Sequence, residues 1–221
     1  MKRKPQTKRV LLVEGDEDKR VIPELIEATG ITWETQDSYI VGIEALGSIE
    51  KVLKAGEIET RLKGSGLLAL GVLIDADDDV NVCWQKIKNR IEKQYPNLPD
   101  IPPPKGFITQ VSGMPKFGAW IMPDNTNRGM LETFLLHLRP ESPLLELSTQ
   151  VPQMAKQAGA LFIDSHADKA QIYSWLAWQN PPGRQMHNAI QQQMLTEKNQ
   201  LLLDFVEWFC SLYDIENVNT K

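Results

Sequence analysis

Two short acidic stretches hold the residues best suited to chemistry. Glu14, Asp16, Glu17 and Asp18 follow the apolar run Val10-Leu11-Leu12-Val13, and Asp75, Asp77, Asp78 and Asp79 follow the run Leu67 to Ile74. Eight carboxylates grouped this way repel one another unless they are fully solvated or share a cation. Asp75 and Asp77 are two apart, and in an extended segment such residues face the same side, so both carboxylates converge on one point. Glu14, at the tip of a neighbouring strand, reaches the same rim. Three carboxylates there form a hard oxygen site suited to Mg2+ or Mn2+. No His or Cys is near them in sequence, which argues against zinc. Capping is the simpler role for any one acid: Asp16 or Asp18 for the first helix, Asp78 or Asp79 for the helix around Cys83. For Glu14, Asp75 and Asp77 together the cation is favoured, because like charges gathered at a buried strand end cost energy without one.

The elements that must position these acids are legible from periodicity. Arg9 to Val13 is a strand with the continuous apolar character of one buried on both faces. Glu17 to Ala28 has apolar residues at helical spacing and a stop at Gly30. Ser38 to Ile43 predicts a second strand and Ile49 to Leu62 a second helix, ended by Gly64. Leu67 to Ile74 is the strongest buried-strand signal, and Val82 to Gln94 is amphipathic. This alternation implies right-handed crossovers and a parallel sheet covered on both faces. In such sheets ligands bind outside the carboxyl ends of the strands, where both acidic stretches fall.

Tyr95 to Lys105 contains five prolines and is a loop within the domain. Gly106 to Val111 and Phe117 to Met122 are two further short strands, and Gly129 to His137 is helical. Beyond Pro140 the pattern is all helical: Leu144 to Gly159, Lys169 to Gln179, and Asn188 to Tyr213 with breaks. The chain thus divides into a basic tail over 1–7, an α/β domain over 8–140, and a C-terminal helical extension over 141–221 packed on the same domain.

The 221 residues are 42% hydrophobic and 24% charged, ordinary for a globular chain able to bury a full core. The run from Gly66 to Ile74 is too short to cross a bilayer, which takes about 20 residues. The basic N-terminus lacks the apolar segment of a signal peptide. With only Cys83 and Cys210, neither a disulfide framework nor a four-cysteine zinc site is available, and the cytoplasm is the default location. A net charge of −5 does not announce a nucleic-acid binder, although seven Lys and Arg residues lie in the first 20 positions.

Val13-Glu14-Gly15-Asp16-Glu17-Asp18 resembles the first Toprim motif, a strand ending in Glu-Gly. Leu73-Ile74-Asp75-Ala76-Asp77 resembles the second, a hydrophobic strand ending in Asp-x-Asp. Toprim domains occur in primases, topoisomerases, maturases of small ribosomal RNA and OLD-family nucleases, which act on phosphodiester bonds with Mg2+. Gly118-Ala119-Trp120-Ile121-Met122-Pro123-Asp124-Asn125, followed by Gly129-Met130-Leu131-Glu132, resembles the signature of small stand-alone Toprim-like proteins of unassigned function related to the OLD nucleases. Trp175-Leu176-Ala177-Trp178-Gln179 with Pro181-Pro182-Gly183 resembles that family too, so the likeness spans roughly residues 8 to 190. It implies a Toprim-like, Rossmann-like fold, Glu132 as a further metal ligand, and Asp124 beside it. Asp18 or Glu132 would add a second metal locus. Full OLD proteins carry an ATPase domain, whereas this chain has no Walker-type phosphate loop, so a partner protein would have to supply that function.

The expected chemistry is divalent-metal-dependent phosphodiester hydrolysis or transfer on DNA or RNA, with a non-catalytic metal- or nucleic-acid-binding module as the alternative. Lys169, opening a Trp-rich helix, is a candidate to stabilise charge. Lys19 and Arg20 could meet phosphate oxygens, although a solvated helix face explains them as well. His137, His166 and His187 share no ligand spacing. Trp175 and Trp178 could stack bases, but a helical aromatic pair more often packs a core. A response-regulator receiver is set aside, since Glu-Gly replaces its early acidic pair and no Lys closes its last strand.

Overall fold

The structure, a computed structural model, describes residues 7–34, 38–195 and 199–216. Five strands form one sheet in the order β2-β1-β3-β5-β4. They are β1 (Arg9–Val13), β2 (Gly42–Ala45), β3 (Ala69–Asp75), β4 (Phe107–Thr109) and β5 (Lys116–Met122). All pairings are parallel except β4 with β5, which are antiparallel at one edge. The mostly parallel α/β architecture expected from the sequence is therefore the one observed.

The apolar runs of β1 and β3 divide by alternation between two cores, which is why they are apolar throughout. Leu11, Val13, Ala69 and Leu73 face one core, with α1 (Asp16–Glu27), α5 (Leu131–Leu136), α7 (Ala167–Ala177), α8 (Met186–Gln191) and α9 (Gln200–Tyr213). Val10, Leu12, Leu70, Val72 and Ile74 face the other, with α2 (Ile49–Val52), α3 (Glu57–Leu62) and α4 (Val80–Ile91). The helix α6 (Pro143–Gln157) packs on α7. From β1 the chain passes by α1 to β2 on one side, then returns by α2 and α3 to β3 on the other. The strand order reverses there, and an open α/β sheet leaves a crevice at such a point, between the carboxyl ends of β1 and β3.

The far end of the chain seals the first core through two glycines. Gly71 of β3 and Gly118 of β5 are register partners. A β-carbon at Gly118 would stand 2.7 Å from Leu212, and one at Gly71 would meet Leu11, Leu212 and the Tyr213 hydroxyl. Their bare backbone lets the last turn of α9 lie directly on the sheet, where the Tyr213 hydroxyl donates to the Val10 carbonyl at 2.9 Å.

Some expected elements shift. The predicted helix over 49–62 is two helices, because Gly56 sits at φ +88° before α3 while Ser48 caps α2 separately. The predicted strand over 38–43 begins at Gly42, the register partner of Val10, while Tyr39 bridges Glu34 instead; residues 35–37 lie outside the described set. The first helix is capped by Gly15 rather than by Asp16 or Asp18, which both lie in its first turn. Asp79 caps α4 as expected, accepting from the backbone N–H groups of Asn81 at 2.8 Å and Val82 at 3.3 Å. No helix among the described residues is long and apolar enough to cross a membrane.

Candidate functional site at the carboxyl ends of β1 and β3

Glu14 leaves the tip of β1 one residue beyond the Val13–Leu73 register pair, and Asp75 ends β3 two residues beyond it. The two are joined directly: Glu14 Oε1 accepts the Asp75 backbone N–H at 2.9 Å. Asp75 Oδ1 in turn accepts the backbone N–H of Leu131, the first residue of α5, at 2.9 Å. Asp18 turns back along α1 so that its Oδ2 accepts the Gly15 N–H at 2.8 Å, and only 7% of it is exposed. Glu132, on the next residue of α5, is 4% exposed and pairs with Lys169 Nζ at 3.0 Å. Glu14, Asp18, Asp75 and Glu132 thus come from four elements to one rim.

Their titration records that crowding. Burial pushes Asp75 well above the usual carboxylate range, with the charges of Asp18, Glu14 and Glu132 adding to it and the Leu131 N–H opposing it. Burial likewise raises Glu14 to about 7; the Asp75 N–H works against this, and Asp18 and Asp77 work with it. Asp18 is pushed up to about 6 by burial, with Glu132 adding repulsion. Lys169 is drawn down by burial, but the Glu132 carboxylate more than offsets this and its pKa ends above the usual lysine value.

Asp77 reaches the rim by a different route from the one its spacing suggested. The extended backbone stops at Asp75, and Asp77 is left-handed at φ 49°. It is pinned to Gly129 by two backbone hydrogen bonds, Asp77 N–H to the Gly129 carbonyl at 3.0 Å and the reverse at 2.9 Å. The i, i+2 alignment of an extended strand therefore does not apply, although the Asp77 charge still acts on Glu14. Asp124, two residues past β5, spends its carboxylate on its own turn. Its Oδ1 accepts from Thr126 and Asn127 backbone N–H groups at 2.9 and 2.7 Å, and its Oδ2 from Asn127 Nδ2 at 2.7 Å. Burial alone would raise its pKa, but the bonds from Asn127 and Thr126 outweigh that and hold it low.

Sequence reasoning missed the framework around α5. Thr133 Oγ1 accepts the Met130 N–H at 3.1 Å and donates to Asp168 Oδ2 at 2.6 Å. The segment from Gly129 to Thr133 therefore fixes both Asp75 and Asp77, and Asp168 fixes that segment to α7. The spacing of Met130 and Thr133 is that of a helix cap and its third residue, a signal present in the sequence. Among the discounted residues, Trp175 is buried in the core, whereas Trp178 is 37% exposed. His137 closes α5, His166 lies in a short 3-10 turn and His187 lies in α8, so the three share no site.

Glu14, Asp18, Asp75 and Glu132 offer carboxylate oxygens, a set that fits a hard divalent cation, while the Cys83 thiol beside them donates to the Asp75 carbonyl at 3.5 Å. In the present arrangement no three His, Cys, Asp or Glu side chains among the described residues stand close enough to hold a metal. Backbone N–H groups and Lys169 occupy the oxygens instead.

The sheet and its rim define the class: an open, mostly parallel α/β protein with an acidic crevice where its strand order reverses. Residues 8–214 match the family described as Protein of unknown function (DUF3226), and the chain belongs to that family. Among solved structures it is similar to the C-terminal region of the Xanthomonas campestris pv. campestris OLD protein. That likeness has a TM-score of 0.45 and 14% identity, and it covers 95% of this chain and 97% of that one. No curated protein matches.

Proposed function

We propose that this protein performs divalent-metal-dependent phosphodiester chemistry on nucleic acid, of the Toprim type and nuclease-like. One observation carries the reading: Glu14, Asp18, Asp75 and Glu132 converge at the strand-order reversal, where burial and neighbouring charge raise the pKa of Glu14, Asp18 and Asp75, and among the described residues Lys169 is the one lysine or arginine paired to a member. A rim on which Glu14, Asp18 and Asp75 resist ionisation is poorly adapted for stability and well adapted to receive a cation. The motifs ending in Glu14-Gly15 and Asp75-Ala76-Asp77 support the same reading.

Glu14, Asp75 and Asp77 would hold Mg2+ or Mn2+, with Asp18 and Glu132 beside them and Asp124 farther out in its own turn. Bound there, the ion supplies Lewis acidity to a phosphoryl oxygen and acidifies an attacking water. Lys169, held charged at neutral pH, offers a cation to the phosphate where it now meets Glu132. The Gly129–Thr133 segment orients Asp75 through the Leu131 N–H.

A second reading is a metal- or nucleic-acid-binding module without turnover, acting with a partner protein that supplies an ATPase. The carboxylate oxygens already engaged by backbone N–H groups favour it. One experiment separates the two. The chain is incubated with supercoiled DNA, single-stranded DNA and RNA in Mg2+, Mn2+ or EDTA, with metal binding followed by calorimetry. Metal-dependent cleavage that is lost in Asp75→Asn supports the enzyme. Metal binding without cleavage of any substrate supports the module. Neither binding nor cleavage would overturn both.

A further inference from the structure

We infer that the cleft between α2 and α4 is the track along which a nucleic-acid backbone reaches the carboxylate rim, gripped by Lys51, Lys54, Lys86 and Arg90. This rests on the phosphodiester reading above and names the side from which the substrate arrives.

The cleft has a volume of about 300 Å3 and is lined by Ile49, Glu50, Leu53, Lys54, Lys86 and Arg90. Ile49 and Leu53 form a covered floor, 9% and 5% exposed, while Lys54 and Lys86 are exposed on its walls. Arg90 is held in place by its Nε, which donates to the Leu53 carbonyl at 2.8 Å. Among the described residues, none of Lys51, Lys54, Lys86 and Arg90 has a carboxylate within ion-pairing distance. Lys88, Lys116, Lys156 and Lys169 each have one, and Lys105 has two. Glu50 is the single acid lining the cleft, so positive charge prevails there on a chain whose net charge is −5.

The cleft abuts the rim. The backbone N–H of Ile49, on its floor, lies near enough to the Glu14 carboxylate to favour its charged form. The Lys51 ammonium folds over Gly47, 3.1 Å from where a β-carbon would stand, and the Gly47 N–H donates to the Glu14 carbonyl at 2.6 Å. Lys86 acts electrostatically on Cys83, as do Glu14 and Asp77. Cations that lead to a crevice of carboxylates match a polyanion chain, which needs several phosphates held while one meets the rim. A membrane surface is the poorer match, because the apolar floor is covered and leaves no face to enter lipid.

The test is fluorescence anisotropy with labelled single-stranded and duplex oligonucleotides in EDTA, titrated at several salt concentrations. Lys54→Gln/Lys86→Gln is compared with the wild type and with Lys105→Gln/Lys156→Gln as a charge-matched control. The cleft variant should bind about 10-fold or more weakly near 0.1 M salt. Its slope of log affinity against log salt should fall by about 1.5 to 2, while the control keeps the wild-type slope. Equal affinity and slope in all three proteins would overturn the assignment. So would a wild type that binds phosphatidylserine vesicles but no oligonucleotide, or neither. Binding in EDTA is independent of turnover: unchanged metal-dependent cleavage by the cleft variant would sink this inference alone. Cleft-dependent binding with no cleavage under any metal would sink the enzymatic reading and leave the track in place.

Discussion

Replacing Glu14 with Gln should stabilise the metal-free protein above neutral pH and leave it nearly unchanged in acid. The folded-state pKa of Glu14 is about 7 against 4.5 in an open chain, so the sign is set by a raised carboxylate. Below about pH 4.5 both states are protonated and the group contributes its full stability. As pH rises toward 7 the unfolded chain ionises first, and stability is lost at about 1.4 kcal/mol per pH unit. Discounted for the part of Glu14 open to solvent, the loss at pH 8 is about 2 kcal/mol. Gln keeps an oxygen for the Asp75 N–H but never ionises, so Glu14→Gln should escape that loss. For a chain of this size, about 2 kcal/mol corresponds to a Tm roughly 4–8 °C above wild type at pH 8. Melting curves in EDTA at pH 5 and pH 8 read the difference. Adding Mn2+ at pH 8 should raise the wild-type Tm and leave the variant where it was. A variant destabilised equally at both pH values would refute the reasoning, because Glu14 would then be an ordinary hydrogen-bonding residue.

Lys169→Met strips the paired cation from a buried Glu132 and should cost about 1–2 kcal/mol in denaturant unfolding, a loss that Glu132→Gln in the same chain should largely relieve. Thr133→Val and Asp168→Asn should each loosen the Gly129–Thr133 segment, and a double-mutant cycle should show a coupling of about 1 kcal/mol, with metal affinity falling alongside. Gly118→Ala should cost about 1–3 kcal/mol, because the new methyl meets Leu212 of α9 at 2.7 Å. Tyr213→Phe leaves the Val10 carbonyl without its buried partner and should cost about 1–2 kcal/mol, seen as a lower urea midpoint at unchanged slope.

The sheet was legible because its strands are buried on both faces. Val10 to Val13 and Leu70 to Ile74 carry no polar side chain to disguise them, and an acid follows each without interruption. Glu14 and Asp75 were legible for the same reason, since a carboxylate at the tip of a buried strand is conspicuous. What lay beyond reach was backbone. Asp77 cannot be placed from its spacing, because its left-handed turn is set by a bridge to Gly129, more than fifty residues away. Asp124 and Asp75 each follow or end a strand, and only the local partners Thr126 and Asn127 decide that one carboxylate is satisfied at home. Thr133 and Asp168 stand away from the strand tips and no spacing links them, yet they hold the peptide that holds Asp75. A strand tip announces which acids can meet. The loops, written in ordinary residues, decide how many of them point the same way, and it is there that a cation would have to displace the hydrogen bonds from Leu131 and Asp75 to gather its ligands.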